Sequence, residues 1–238
     1  MPLLADPISL SNDKAQDLQA RRSAQRIRLL AAGGALAVVL TILLVGAIDV
    51  LHALEAESLR RFTLSEHALG PHRLIFSAGV LLLSAGSGVI LAVLVHGGLT
   101  RWRSAGAIAL SAWILGLALA AIFPKYNWAV GPSLSGAIHR FSSVLAFFSL
   151  PVAVLLLALP WLRHETWRRH ARWTFGLGLL SAFSLTPILF AVLVYATVGT
   201  PWWLVVPLGY VERLLVIHEV IAVLVLALWA RAAAHATP

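Results

Sequence analysis

The sequence contains no cysteine among its 238 residues. This absence excludes disulfides, thiolate metal centres, cysteine nucleophiles and palmitoylation. Charged residues are also scarce, since they make up 12% of the chain against about 25% of a typical soluble domain. Hydrophobic residues make up 60%, and the mean hydropathy is +0.87. An ordinary water-soluble fold, a disordered chain and a disulfide-stabilised secreted domain are therefore excluded, and a polytopic membrane protein is expected.

Long apolar runs dominate the sequence. A membrane-spanning helix takes about 20 mostly apolar residues, and we predict six of them, at residues 29–51, 74–99, 105–123, 140–162, 173–197 and 208–230. No run alternates apolar and polar residues as a barrel strand does. The predicted fold is therefore all-α: a polytopic membrane protein whose six transmembrane helices form three hairpins in one domain, 29–231. Pro187 predicts a kink in the fifth helix, because proline has no N–H to donate.

Basic residues are concentrated in alternate connections between the predicted spans. If both termini lie on the inner side, that side holds twelve of the 18 Lys and Arg residues: Lys14, Arg21, Arg22, Arg26, Arg28, Arg101, Arg103, Arg163, Arg168, Arg169, Arg172 and Arg231. Cytoplasmic segments carry such an excess. We therefore expect a multi-pass protein of the plasma (inner) membrane with both termini in the cytoplasm. The net charge of +8 is then an orientation signal, and nucleic acid is not an expected partner.

Two segments flank the predicted domain, a basic tail at 1–28 and a short tail at 232–238, both expected in the cytoplasm. The first is not predicted to be a signal peptide, because it is polar and precedes a full-length span. Its acidic residues are Asp6, Asp13 and Asp17. Residues 16–28 are compatible with a short basic helix on the membrane surface and equally with a solvated tail.

Ionisable side chains from four segments are predicted at the outer ends of the spans. They are Asp49, Glu66, His72, His139, Arg140, Glu212 and Arg213. Arginine suits a phosphate and carboxylates suit an amine or a hydroxyl, so such a set is able to recognise a lipid head group. The same groups suit general acid–base catalysis, above all His139 with Glu212 or Glu66.

The last span carries two ionisable residues deeper in the membrane. His218 and Glu219 lie about ten residues from its start, which at about 1.5 Å per residue is near the bilayer centre. Charged groups inside a span are costly and are functional candidates. A proton relay and a network of hydrogen bonds that fixes packing both stay open, although the apolar stretch at 221–229 argues against transport. The predicted intramembrane polar residues are His218, Glu219 and Asp49.

Motifs for metals and cofactors are absent from the sequence. It has no HExxH, HxxxH or HxH spacing for zinc, and no GxSxG, GxxxxGK[ST] or dinucleotide-binding pattern. Haem would need two histidines at one depth on facing helices, whereas His218 is central and His96 lies near the inner end of its span. No metal is predicted, and the sequence requires no cofactor.

Three stretches resemble a known family. They are LRRFTLSEHALGP at 59–71, the stretch from FPK at 123–125 to GAIHR at 136–140, and GYVER at 209–213. In this order they resemble the bacterial integral-membrane proteins grouped as domain of unknown function 998, over about residues 30–232. The resemblance implies six helices and an outward-facing polar cluster. The residues that recur in the family's motifs then correspond to Arg61, Ser65, Glu66, Gly70, Pro124, Gly136, His139, Glu212 and Arg213.

Three functions follow as hypotheses. The first is an outward-facing polar pocket that binds a lipid or another amphiphile, in envelope lipid homeostasis or as a partner subunit. Its candidate ligand-binding residues are Arg61, Ser65, Glu66, His72, His139, Arg140, Glu212 and Arg213. The second is a membrane-embedded acid–base or metal-dependent enzyme on a lipid-linked substrate, and the third is a proton-coupled transporter. Membrane lipids are the expected partners, with a second copy of the chain or a membrane partner protein left open.

Overall fold

All regular structure in the described residues is helical. The computed structural model describes residues 7–55, 59–60, 62–126 and 130–236. The α-helices of this part of the chain are α1 Pro7–Glu55, α2 Arg73–His96, α3 Ala105–Ile122, α4 Leu134–Ala158, α5 Arg168–Ser184, α6 Thr186–Val198, α7 Trp202–Val205 and α8 Leu208–Ala236. One 3-10 helix, Leu64–Leu69, lies between α1 and α2, and another, Leu159–Trp161, directly follows α4.

Six helical segments of the described chain are long and apolar enough to cross a membrane. They are Arg21–Glu55, Arg73–His96, Ala105–Ile122, Leu134–Trp161, Arg168–Val198 and Leu208–Ala236. The prediction of an all-α, six-span membrane protein is confirmed, and which side each terminus faces stays a prediction. The fourth span starts earlier than predicted, because Ser133 caps it and its hydroxyl accepts the Gly136 N–H at 3.1 Å.

The first helix extends well beyond the predicted span. It starts at Pro7 and continues without a break through residue 28, where the sequence predicted a boundary between tail and membrane. The physical reason is local, since the segment 16–28 consists of good helix formers such as Ala, Leu, Gln and Arg and lacks Gly and Pro. The apolar span supplies a helix that this segment extends at little cost, because propagation is easier than nucleation.

Glycines allow close packing of the helices around the centre of the bundle. A Cβ atom on Gly86 of α2 would lie 2.7 Å from the Cβ atom of Ala37 on α1. A Cβ atom on Gly116 of α3 would lie 2.7 Å from the carbonyl oxygen of Ser142 on α4. Small residues permit the backbone approach that holds helices together in lipid. The α1–α2 and α3–α4 contacts are therefore tight.

The fifth span is broken at the predicted proline. Pro187 has no N–H for the carbonyl of Phe183, and the Thr186 hydroxyl donates to that oxygen at 2.7 Å instead. Next to the break, the Ser184 hydroxyl lies 2.8 Å from Nδ1 of His218, which ties the end of α5 to α8. Beyond the break, α6 is largely exposed and buries only Ala191.

Buried apolar side chains form a large core and a smaller cluster. The large core includes Trp113, Leu150 and Leu226 and joins α1, α2, α3, α4, α5 and α8. The smaller cluster consists of Ile48, Leu64, Ala68 and Phe76. It holds the 3-10 helix Leu64–Leu69 against the ends of α1 and α2. A cavity lies between these two packed regions.

Candidate functional site

A cavity of about 450 Å³ lies among α1, α2, α3, α4, α8 and the 3-10 helix Leu64–Leu69. Five polar side chains lie where helices meet the loops, and we call this region the polar end: Asp49, Ser65, His139, Glu212 and Arg213. From there the cavity extends to Thr41 on α1, Phe147 on α4 and Ile221 on α8. Eight or nine helical residues separate the two ends, a depth of about 12–14 Å. The deep walls are apolar apart from the hydroxyls of Thr41 and Ser143, so the ionisable groups of the cavity lie at one end only.

The start of α8 holds the loop that precedes the 3-10 helix. The Leu64 N–H donates to Oε2 of Glu212 at 2.8 Å, and the Gly209 N–H donates to the Arg60 carbonyl at 3.0 Å. A Cβ atom on Gly209 would lie 2.5 Å from the Phe62 carbonyl oxygen, so the loop needs glycine at this position. The stretch GYVER therefore has a structural explanation: its Gly, Glu and Arg each contact the loop.

Arg213 joins α8 to α1 and to the same loop. Its Nε donates to Oδ2 of Asp49 at 2.9 Å, and its Nη2 donates to Oδ1 of Asp49 at 2.6 Å. Its Nη1 donates to the carbonyl oxygens of Phe62 at 2.6 Å and Gly209 at 2.8 Å. Nε2 of His67 lies 3.2 Å from Oδ1 of Asp49. Such bidentate pairs are among the stronger charged contacts in proteins.

Lys125 joins the second loop to the first. Its Nζ lies 3.1 Å from Oε1 of Glu66 and 3.2 Å from Oγ1 of Thr63. The other oxygen of Glu66, Oε2, accepts the Thr63 N–H at 3.2 Å and so caps the 3-10 helix. Glu66 is thus a connector between loops, and it does not lie on the cavity wall.

His139 is buried, and one of its nitrogens has a structural role. Nδ1 lies 2.9 Å from the carbonyl oxygens of both Ala120 and Phe123. These are carbonyls at the end of α3 that lack a partner within the helix. Nε2 makes no hydrogen bond to any described residue, and the side chain lines the cavity. His139 therefore fixes α3 against α4 with one ring nitrogen and leaves the other available.

The structure separates the predicted site residues into three groups. Those on the cavity wall are Asp49, Ser65, His139, Glu212 and Arg213. Those away from it are Glu66, paired with Lys125, and the exposed His72 and Arg140. Arg61 lies outside the described residues. Within the described part of the chain, no hydrogen bond joins His139 to Glu66 or Glu212, because each of the three has its own partner elsewhere.

The two deep residues of α8 do not lie on this cavity. His218 bonds to Ser184. Glu219 is buried, and its Oε1 has no hydrogen-bond partner among the described residues. In the described chain, no hydrogen bond joins either residue to a residue of the cavity wall. A search of the same residues finds no group of three or more His, Asp and Glu that could hold a metal ion.

Sequence reasoning missed two kinds of site residue. Lys125 is the only Lys, Arg, Asp or Glu between Arg103 and Arg140. A single charged residue in such a long uncharged stretch could have indicated a buried ion pair. The apolar wall residues carried no such signal, because they look like any other residue of a span. They include Val45, Phe76, Leu117, Phe147, Val216 and Val220.

Comparison with known proteins agrees with the motifs. The sequence matches the family model described as "Protein of unknown function (DUF998)" over residues 35–229. That range contains every polar residue on the cavity wall. No curated protein and no solved structure matches the chain. Because the match covers most of the sequence, the chain belongs to the DUF998 family.

Proposed function

We propose that this protein binds an amphiphile in the cavity between α1, α2, α3, α4 and α8. The single observation that carries the proposal is the distribution of polarity in the cavity. Its ionisable groups lie at one end, and about 12–14 Å of mostly apolar wall lead away from them. A ligand with a polar head and an apolar chain satisfies both regions, whereas a wholly polar solute leaves the apolar wall without a partner.

The cavity is open along its apolar side. Four of its lining residues are also exposed on the surface of candidate membrane spans: Ile42, Val50, Ile217 and Ile221. A surface of this kind faces lipid in a multi-pass membrane protein. A lipid or another amphiphile can therefore enter the cavity sideways from the bilayer. Its apolar chain passes between the exposed wall residues while its head group enters the polar end.

The proposal includes a place in the cell. The distribution of basic residues favours the plasma membrane with both termini in the cytoplasm. The polar end then faces outward, and binding of a lipid there suits a role in envelope lipid homeostasis. The acid–base alternative has less support, because His139, Glu66 and Glu212 each hold a separate partner.

Two tryptophan variants on α8 test the proposal. Ile217 lines the cavity and is 54% exposed, whereas Leu214 lies outside the cavity and is 51% exposed. Ile217→Trp adds bulk at the opening, and Leu214→Trp adds the same bulk to the bilayer-facing surface. We expect native mass spectrometry to find a bound amphiphile on the unmodified protein and on Leu214→Trp.

Ile217→Trp should lose that bound amphiphile while it keeps the melting temperature of the unmodified protein. Equal retention of bound amphiphile by the two variants would contradict the proposal. An unmodified protein that carries no amphiphile through gentle detergent extraction would contradict it as well.

A further inference from the structure

The hydrogen bonds of the polar end constrain the chemistry of the ligand's head group. Arg213 is the only cation on the described cavity wall. A guanidinium group has five N–H donors, and four of those in Arg213 already bond to Asp49 and to the carbonyls of Phe62 and Gly209. Its charge is matched by Asp49. Arg213 therefore stabilises the fold, and only one of its N–H donors remains available to bind an anion.

Both carboxylate oxygens of Asp49 also have partners within the protein. Its Oδ2 accepts from Nε of Arg213, and its Oδ1 contacts both Nη2 of Arg213 and Nε2 of His67. Asp49 and Arg213 thus satisfy each other. The remaining ionisable groups of the polar end are Glu212 and His139, since the hydroxyl of Ser65 lies 3.0 Å from Oγ1 of Thr63.

Glu212 is buried and forms no direct ion pair with a described residue. The residue is only 9% exposed, and its Oε2 accepts one backbone N–H, from Leu64. Nearby Lys125 is paired with Glu66, and Arg213 is paired with Asp49. Its other oxygen, Oε1, makes no hydrogen bond to a described residue, so a carboxyl oxygen on the cavity wall is available.

His139 offers a second acceptor. In the neutral ring, one nitrogen carries hydrogen and the other carries a lone pair. Because Nδ1 lies 2.9 Å from two carbonyl oxygens, it carries the hydrogen. Nε2 then carries the lone pair. The available groups of Glu212 and His139 are therefore both acceptors, and they line one cavity.

We infer that the head group held at the polar end is a primary ammonium. This inference rests on the proposed amphiphile binding and adds the ligand's chemical class. An ammonium group brings several N–H donors for Glu212 and His139, together with a positive charge in direct contact with the Glu212 carboxylate. A phosphate would bring negative charge against Glu212 and would find a single remaining N–H on Arg213.

Four single-chain amphiphiles of equal chain length test this inference. They carry a primary ammonium, a trimethylammonium, a hydroxyl or a phosphate head group. Trimethylammonium keeps the charge and lacks N–H donors, so it separates charge from hydrogen bonding. Hydrogen bonds to charged groups stabilise binding more than neutral ones do. We therefore expect the primary ammonium to bind at least about tenfold more tightly than each of the other amphiphiles. Affinities are measured on the full chain in lipid nanodiscs by competition and native mass spectrometry.

A matched pair of carboxamide variants locates the head group. Glu212→Gln keeps an oxygen for the Leu64 N–H and removes the carboxylate, and we expect it to weaken ammonium binding about tenfold or more. Glu55→Gln removes an exposed carboxylate at the end of α1, off the cavity wall, and it should leave the affinity unchanged. The ranking on the unmodified protein stands independently, should Glu212→Gln fold poorly.

The outcomes separate this inference from the proposed function. If the phosphate, hydroxyl or trimethylammonium amphiphile binds more tightly than the primary ammonium, the inferred head group is wrong. The proposed binding of an amphiphile is then unaffected. Unchanged ammonium affinity in a folded Glu212→Gln variant overturns the assignment to this carboxylate. Failure of all four amphiphiles to bind overturns the proposed function and this inference with it.

Discussion

Arg213 holds Asp49 through two N–H···O bonds of 2.9 and 2.6 Å, which join the start of α8 to the end of α1. The two residues are 164 positions apart in sequence. Both side chains are mostly shielded from solvent, with 12% of Arg213 and 20% of Asp49 exposed. Because Arg213 also binds two loop carbonyls, this pair connects the first span, the last span and the first loop at the polar end.

The Asp49–Arg213 pair is expected to stabilise the fold. Asp49→Ala should lower the free energy of unfolding by about 2–3 kcal/mol, since it leaves a shielded guanidinium without its charged partner. Arg213→Ala should cost more, because the carbonyls of Phe62 and Gly209 also lose their donor. Denaturant unfolding in detergent measures both. Arg140→Ala is the control, since Arg140 is an exposed basic residue one position beyond His139; a cost for Asp49→Ala no larger than this control's would contradict the prediction.

Glu66 is expected to stabilise the loops by two separable contacts. Glu66→Gln removes the ion pair with Lys125 and keeps an oxygen for the Thr63 N–H, so it should cost up to about 1 kcal/mol. Glu66→Ala removes the cap as well, which adds about 1 kcal/mol. Thermal unfolding of both variants is the measurement. Equal costs for the two variants would show that the cap contributes nothing.

Replacing the two buried glutamates of α8 is expected to change the stability of the protein in opposite directions. One buried oxygen of Glu219 has no partner among the described residues, so Glu219→Met should raise the free energy of unfolding by about 1–3 kcal/mol. Glu212 accepts the Leu64 N–H, so Glu212→Met should lower it by a similar amount, since that donor loses its partner. Unfolding in matched detergent compares them. Destabilisation by Glu219→Met would mean that this carboxyl has a stabilising partner in the folded protein.

Two glycines of α2 form a natural test of helix packing. At Gly86 a new Cβ atom would lie 2.7 Å from the Cβ atom of Ala37, whereas at Gly88 it would meet no atom of the described chain within 4 Å. Gly86→Ala should therefore destabilise the protein by about 1–3 kcal/mol. Gly88→Ala should stabilise it by up to about 1 kcal/mol through helix propensity. Thermal unfolding measures both, and equal effects would place the α1–α2 contact elsewhere.

The absence of cysteine makes the predicted orientation directly testable. His72 and Arg103 are both exposed and lie in connections predicted on opposite sides of the membrane. With both termini in the cytoplasm, a membrane-impermeant thiol reagent added to intact cells should label His72→Cys and leave Arg103→Cys unlabelled. Permeabilised cells should show labelling of both. The reverse pattern in intact cells would invert the topology and place the polar end on the cytoplasmic side.

Much of the fold was predictable because it depends on short-range properties. Each span needs only a continuous apolar stretch, and Pro187 breaks its helix through a single missing N–H. Helix ends were harder, since Ser133 starts α4 early and α1 begins at Pro7, ahead of the helix considered at 16–28. Capping and helix propagation depend on neighbouring residues, and hydropathy does not record them.

The site was predictable only in part, for a geometric reason. Position along a helix sets the depth of a residue, so the sequence alone determined that Asp49, His139, Glu212 and Arg213 lie near one end of the bundle. Which of them meet depends on the rotation and packing of each helix, and those are decided by contacts between distant segments. Only the tertiary structure therefore shows that Arg140 is exposed, that Glu66 pairs with Lys125 and that Arg213 pairs with Asp49. It alone also shows that one oxygen of the Glu212 carboxyl, on the cavity wall, has no hydrogen-bond partner among the described residues.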